Sequence, residues 1–144
     1  MQSKLDKTMR HKGSKSHVNL ERDKVVPALY HKAKELVEWP ASEMAVCRMA
    51  ASLPVKEFYV GFDSAVEYVR NRYYHQKRKE FQSPYKQQLY DALYEQFLNI
   101  VDLPENRNTF ITELVLRVLS KPAPCVGLSP LQLYYIMLRH KKKR

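Results

Sequence analysis

A segment of helix, turn and helix occurs twice in this 144-residue chain, and that repetition limits the fold more than any other feature. Each copy has an amphipathic stretch, a Ser-x-Pro turn, a short piece ending in Val-Gly, and a second amphipathic stretch that ends in basic residues. The first copy runs from Val46 to Lys79 and the second from Leu114 to Arg144. The copies align at an interval of 68 residues before the turn and 66 after it, which predicts that the second turn is two residues shorter.

Two interpretations of this repeat stay open. The first is an internal duplication, because amphipathic helices alone do not supply matched turn residues. These residues are Ser52 and Ser120, Pro54 and Pro122, and Gly61 and Gly127. The second interpretation is two unrelated helix-turn-helix corners that share ordinary start and stop signals.

The predicted fold class is all-α, with about six helices in two similar three-helix units and a short extended piece in each inter-helix turn. Glycine is scarce, at 3 residues, and apolar residues recur at three- and four-residue spacing. Ser42 predicts the start of a helix over 43–51, and Ser83 and Ser129, each followed by Pro, predict two more helix starts. Pro27 is placed in the first turn of a helix that begins at Val26.

The predicted organisation is a mobile basic arm over residues 1–22 and a single helical domain over 23–144, with units 23–80 and 84–144. The segment 1–24 carries seven Lys/Arg against three acidic residues. No apolar run approaches the roughly 20 residues that span a bilayer, and the start does not resemble a signal peptide. We therefore expect a cytoplasmic protein without membrane contact, in which Cys47 and Cys125 are reduced core residues.

The net charge of +10 is concentrated in a few segments, which favours binding to nucleic acid. Clustered Lys and Arg bind phosphates by neutralising charge and releasing counterions, while Asn and Tyr can contact bases. The predicted contact residues are Arg70, Asn71, Arg72, Tyr73, Tyr74, Lys77, Arg78, Lys79, Arg139, Lys141, Lys142, Lys143 and Arg144. We expect these residues to gather on one side of the scaffold, with DNA favoured over RNA as the partner.

The prediction is a basic surface and not a groove-reading helix-turn-helix motif. The connector over 52–62 is far longer than the 3–4 residues of that motif. The alternative function is protein–protein interaction, as a homodimer or as an assembly component of a phage or mobile element, because the chain has ten tyrosines. The aromatic and Met side chains assigned to such a surface are Tyr59, Tyr85, Tyr90, Tyr94 and Met137.

Catalytic and metal-binding patterns are missing from the sequence. The five histidines are scattered, and neither cysteine belongs to a Cys-x-x-Cys pair. The sequence has no glycine-rich phosphate loop and no Ser/His/Asp set. We therefore predict a protein that is not an enzyme, with no catalytic residues, no metal site and no cofactor.

Overall fold

A computed structural model of the protein describes residues 15–142, and this part of the chain is all-α. Its helices are α1 (Lys15–Leu36), α2 (Glu43–Ala51), α3 (Phe62–His75), α4 (Pro84–Val101), α5 (Ile111–Leu119) and α6 (Pro130–Lys142). A single turn of 3-10 helix, Pro104–Asn106, follows α4. The described residues contain no strand, so the all-α prediction is confirmed but the extended pieces predicted in the turns do not form strands.

Local capping signals fix the start of two helices. The Ser42 hydroxyl accepts a hydrogen bond from the backbone N–H of Ala45 at 3.1 Å, and α2 begins at the next residue. Ser83 caps α4 in the same way through the N–H of Lys86, and Pro84 occupies the first helical position. Both helices therefore begin where the sequence predicted.

The helices form two cores of three helices each. Helices α1, α2 and α6 surround one core, to which Val26, Val46 and Leu133 contribute fully buried side chains. Helices α3, α4 and α5 surround the other, with Leu93 and Phe97 at its centre. The third helix of each predicted sequence unit thus packs on the first two helices of the other unit.

The two long turns meet between these cores. Val55 and Ala123 exchange a pair of backbone hydrogen bonds, each 3.0 Å long, in an isolated antiparallel bridge. The N–H of Phe58 also donates to the carbonyl of Leu119 at 3.0 Å. These bonds satisfy turn backbone groups that the surrounding apolar side chains would otherwise bury without partners.

The starts of the helices on both sides of the two turns lie 68 residues apart, although Gly61 and Gly127 within the turns lie 66 apart. Helices α2 and α5 are both nine residues long and begin 68 positions apart, and α3 and α6 also begin 68 positions apart. Burial follows the same interval, since Ala65 matches Leu133 and Val69 matches Met137, all of them buried. The interval of 66 predicted after the turn would instead pair buried Ala65 with Leu131, which is 50% exposed.

Helix α1 differs most from the prediction. It begins at Lys15, so residues 15–22 of the predicted arm are helical, and the rest of that arm lies outside the described residues. Pro27 stands in the middle of the helix and not in its first turn. An internal proline removes one backbone hydrogen bond and costs about 3 kcal/mol. Apolar side chains on both sides of it, including Val18 and Leu29, pack on the same core and hold the helix together.

Candidate nucleic-acid interface

Two of the predicted contact residues, Arg72 and Arg78, bind a single carboxylate on the neighbouring helix α4. Arg72 Nη1 lies 3.1 Å from Asp91 Oδ1. Arg78 Nη2 lies 2.6 Å from Asp91 Oδ2, and its Nε donates to Oδ1 at 3.2 Å. The charge of these arginines is therefore partly neutralised within the protein.

Asp91 is the acceptor at the centre of a larger hydrogen-bond network. It also accepts from the Tyr68 hydroxyl at 2.6 Å and from Gln87 Nε2 at 3.1 Å. Burial alone would raise the pKa of Asp91, but the hydrogen bonds from Arg78, Tyr68 and Gln87 lower it to about 2. The guanidinium of Arg72 further stacks over the Tyr94 ring, 4.3 Å from its centroid. This network fastens the end of α3 and the segment after it to α4.

The segment after α3 turns back along α4 because the helix ends in a left-handed residue. Gln76 has φ +53°, and the N–H of Lys77 donates to the Asn71 carbonyl at 3.0 Å. Gln87 then holds the returning chain, accepting from the N–H of Phe81 at 2.8 Å and donating to the carbonyl of Lys79 at 3.3 Å. These bonds bring both lysines of the segment to the edge of a cleft.

This cleft, here called the central cleft, has a volume of about 310 Å³ and lies between the two cores. Four helices line it (α1, α3, α4 and α6), together with the segment 77–83 and both long turns. Its cationic lining residues are Arg22, Lys77, Lys79 and Lys86. Glu67 is the one carboxylate that lines the cleft within the part of the chain that is described. Arg22 also pairs with Asp23 at 3.0 Å.

The first turns of three helices border the central cleft, and serine side chains cap those of α4 and α6. Gly61 and Ser64 at the start of α3, Ser83 before α4 and Gln132 in the first turns of α6 all line it. Helix N-termini carry partial positive charge from their unpaired N–H groups. No side chain caps the N-terminus of α3. The arrangement of lysines and helix N-termini is suited to bind anions.

Phe81 provides an apolar surface among the lysines. Lys79 Nζ lies 5.3 Å and Lys86 Nζ 5.1 Å from the centroid of its ring. The ring packs on Tyr90, with centroids 4.5 Å apart and planes inclined at 31°. Phe81 is partly buried, so part of it remains open to solvent. The central cleft therefore combines positive charge with an aromatic wall.

The other predicted residues of α3 lie in the central cleft, in two separate grooves and against the core. Asn71 lines the central cleft, whereas Arg70 lies at a separate groove beside Asp63 and Thr112. Tyr73 packs edge-on against Phe97 with centroids 5.3 Å apart. Burial raises the pKa of Tyr73. Tyr74 is 63% exposed and lines a third groove, together with Arg107.

The basic end of α6 is not part of the central cleft. Arg139 and Lys141 are exposed, while the side chain of Lys142 and residues Lys143 and Arg144 lie outside the described part of the chain. From Gln132 at the cleft, α6 advances about 14 Å to Lys141, at 1.5 Å per residue. Because α6 packs on α1 and α2, its end belongs to a different core from the end of α3. The two basic ends therefore pack in different cores, and the single basic face expected from the sequence stays a prediction.

The structure adds three residues that the sequence analysis did not select: Arg22, Phe81 and Lys86. Arg22 stood in the predicted arm, and Lys86 is a single lysine in the first turn of α4. No local pattern marks either residue, because only the packing of α1 and α4 around the same cleft brings them together.

The side chains proposed for a protein-binding surface are mostly internal. Tyr59, Tyr90, Tyr94 and Met137 are buried, and Tyr85 is partly buried and packs on the α1–α2–α6 core. They contribute to the chain's own cores and do not offer a surface to a partner. Burial removes four of these five residues from such a surface, and the interaction alternative itself stays a prediction.

The remaining features of the described residues concern metals, thiols and membranes. No three His, Cys, Asp or Glu side chains between residues 15 and 142 are close enough to hold a metal ion. Cys47 and Cys125 are buried free thiols. None of the described helices combines the length and apolar character that crossing a membrane requires.

Comparison of the chain with protein-family models, with curated proteins and with solved structures gives no match.

Proposed function

We propose that the protein is a non-enzymatic nucleic-acid-binding protein whose main contact site is the central cleft. The observation that carries this proposal is the position of Lys77, Lys79 and Lys86 in one cleft that has a single carboxylate among its described lining residues. A cleft with one sign of charge concentrates the electrostatic field and attracts an oppositely charged polymer. The phosphate backbone is such a polymer, and its affinity rises with the number of cations that reach it together.

The terminal basic run, Arg139 with Lys141–Arg144, supplies a second and separate contact in this proposal. Charges at the end of α6 can attract the backbone at some distance from the central cleft. Arg72 and Arg78 have a different role, because their pairing with Asp91 orients the segment that presents Lys77 and Lys79.

Fluorescence anisotropy with labelled DNA and RNA tests the proposal at about 50 mM and about 200 mM salt. The test variant is Lys77→Gln/Lys79→Gln/Lys86→Gln. Removal of three phosphate contacts should weaken binding at least tenfold and reduce the slope of log affinity against log salt by about 2.

The matched control is Lys32→Gln/Lys34→Gln/Lys121→Gln, which removes the same charge from residues that do not line the cleft. It should reduce affinity only slightly. If both triple variants weaken binding equally, the cleft is not the contact site, and if the unaltered protein binds no nucleic acid, the proposal is wrong.

We also propose that the chain is an internal duplication with a period of 68 residues. The equal spacing of helix starts, the matched burial and the mutual bridge between Val55 and Ala123 support it. Two copies of one unit would relate by approximate twofold symmetry, as in a homodimer with exchanged third helices. An experimental structure in which residues 15–75 do not superpose on 83–142 by such a rotation would contradict the duplication.

A further inference from the structure

We infer that the central cleft binds single-stranded nucleic acid, with one base stacked on Phe81 and the flanking phosphates on the lysines around it. This inference rests on the proposed function and specifies its ligand. Proteins that bind single strands combine a positively charged groove with aromatic side chains on which bases stack. The central cleft has both features within a volume of about 310 Å³.

The ion pairs of the basic segment argue against reading of a duplex by α3. A duplex is read by side chains that an element presents in a groove. Arg72 in α3 and Arg78 just after it are instead paired with Asp91 on α4. The lysines instead lie along a recess, which a flexible single strand can enter and a rigid duplex cannot.

The surroundings of Phe81 are suited to one nucleotide. Tyr90 supports the ring from within the core, with 4.5 Å between centroids. The ammonium groups of Lys79 and Lys86 lie over the ring, 5.3 Å and 5.1 Å from its centroid. A base that stacks on the ring must therefore displace them, which leaves both cations beside the base and within reach of the flanking phosphates. A base on the ring would add stacking energy to the charge interaction.

Amide side chains in the central cleft can contact the edge of a stacked base. Asn19, Asn71 and Gln132 come from α1, α3 and α6 and all line the cleft. Asn19 and Asn71 offer both a donor and an acceptor, so they can bond to more than one kind of base. The Oε1 of Gln132 already accepts from the N–H of Ser129 at 2.9 Å, so Gln132 offers its amide N–H groups. The cleft should therefore bind single strands with weak sequence preference.

The test uses the full chain and four labelled probes of equal length: a thymidine oligonucleotide, its abasic counterpart, a DNA duplex and a uridine oligonucleotide. The abasic strand keeps the phosphates and removes the bases, so it measures what the bases contribute, by stacking and by edge contacts, without any change in the protein. We expect the thymidine strand to bind about tenfold more tightly than the duplex and about fivefold more tightly than the abasic strand.

The variant Phe81→Leu should lose most of the preference for the thymidine strand over the abasic strand, whereas Phe81→Tyr should retain it. A thermal melt of each variant reports whether it is folded, and the abasic comparison in the unaltered protein holds even if Phe81→Leu unfolds. The uridine strand, which lacks the C5 methyl of thymine and carries a 2′-hydroxyl, should also bind more tightly than the duplex.

The outcomes separate the two proposals. Equal or tighter binding of the duplex, or equal binding of the abasic strand, would overturn the single-strand inference but leave nucleic-acid binding in place. Absence of binding to all four probes would overturn the proposed function itself. Binding of single strands with loss of affinity on removing the bases supports both.

Discussion

Replacement of Asp91 by Asn tests whether this carboxylate holds α3 and the following segment on α4. Asn keeps the shape of the side chain but removes the charge that pairs with Arg72 and Arg78. Hydrogen bonds to a charged group contribute more to stability than neutral ones, and the arginines would lose their common partner. We expect the free energy of unfolding to fall by about 2 kcal/mol at pH 7.

The lowered pKa of Asp91 gives a second value for its contribution to the free energy of unfolding. A fall from 3.8 to about 2 corresponds to roughly 2.5 kcal/mol, at 1.36 kcal/mol per pKa unit. The side chains of Asp91 and Arg78 are 31% and 42% exposed, so solvent screening reduces this to about 1–2 kcal/mol. The folded-state pKa is the lower one, so the stabilisation is fully present above about pH 4. It is lost as the pH falls through about 2.

Urea unfolding of the unaltered protein and of Asp91→Asn, followed by circular dichroism from pH 7 to pH 2, measures this difference. The gap between the two proteins should be largest at neutral pH and should close towards pH 2. Glu95→Gln is a matched control, since Glu95 is exposed one helical turn further along α4 and its replacement should change stability by less than about 0.5 kcal/mol. A gap that stays constant with pH, or one no larger than the control, would refute the role assigned to Asp91.

Three further predictions concern the cores and turns. Phe97→Ala should reduce the free energy of unfolding by about 3–5 kcal/mol in urea titrations, because Phe97 is fully buried. Gly127→Ala should lower the free energy of unfolding by about 1–3 kcal/mol, since Gly127 has φ +83° and an added Cβ would lie 2.6 Å from Leu89 Cδ2. The control is Gly61→Ala, at φ −61°, which should lower it by less than about 1 kcal/mol. Cys47 and Cys125 should react with Ellman's reagent only as the protein unfolds, because burial raises the pKa of both thiols, and fast labelling of the folded protein would contradict their placement.

The fold was predictable where local signals act. Ser42 and the break at Pro54 bound α2 because capping and chain termination depend on neighbouring residues. Helix α1 was not predictable in the same way, since its continuation through Pro27 depends on apolar contacts with α2 and α6 that lie far away in sequence. Tertiary packing overrides a local propensity of this size.

The candidate site was only partly predictable for the same reason. Charge clustering identified Lys77 and Lys79, which do line the central cleft. It also selected Arg72 and Arg78, which pair with Asp91. Asp91 lies 19 and 13 residues away from them on another helix, so no local charge pattern reveals the pairing. A run of positive residues in a sequence does not show which of them face an acid once helices pack.

The packing of α6 on α1 and α2 has a consequence for folding during synthesis. The core that α1 and α2 begin is closed by α6, which starts 79 residues after the end of α2. During synthesis, the apolar faces of α1 and α2 stay exposed until α6 has left the ribosome and can pack on them. Contacts over such distances also slow folding, because a long loop must close first. The newly made chain therefore exposes apolar surface for longer than a row of independently folding helical hairpins would.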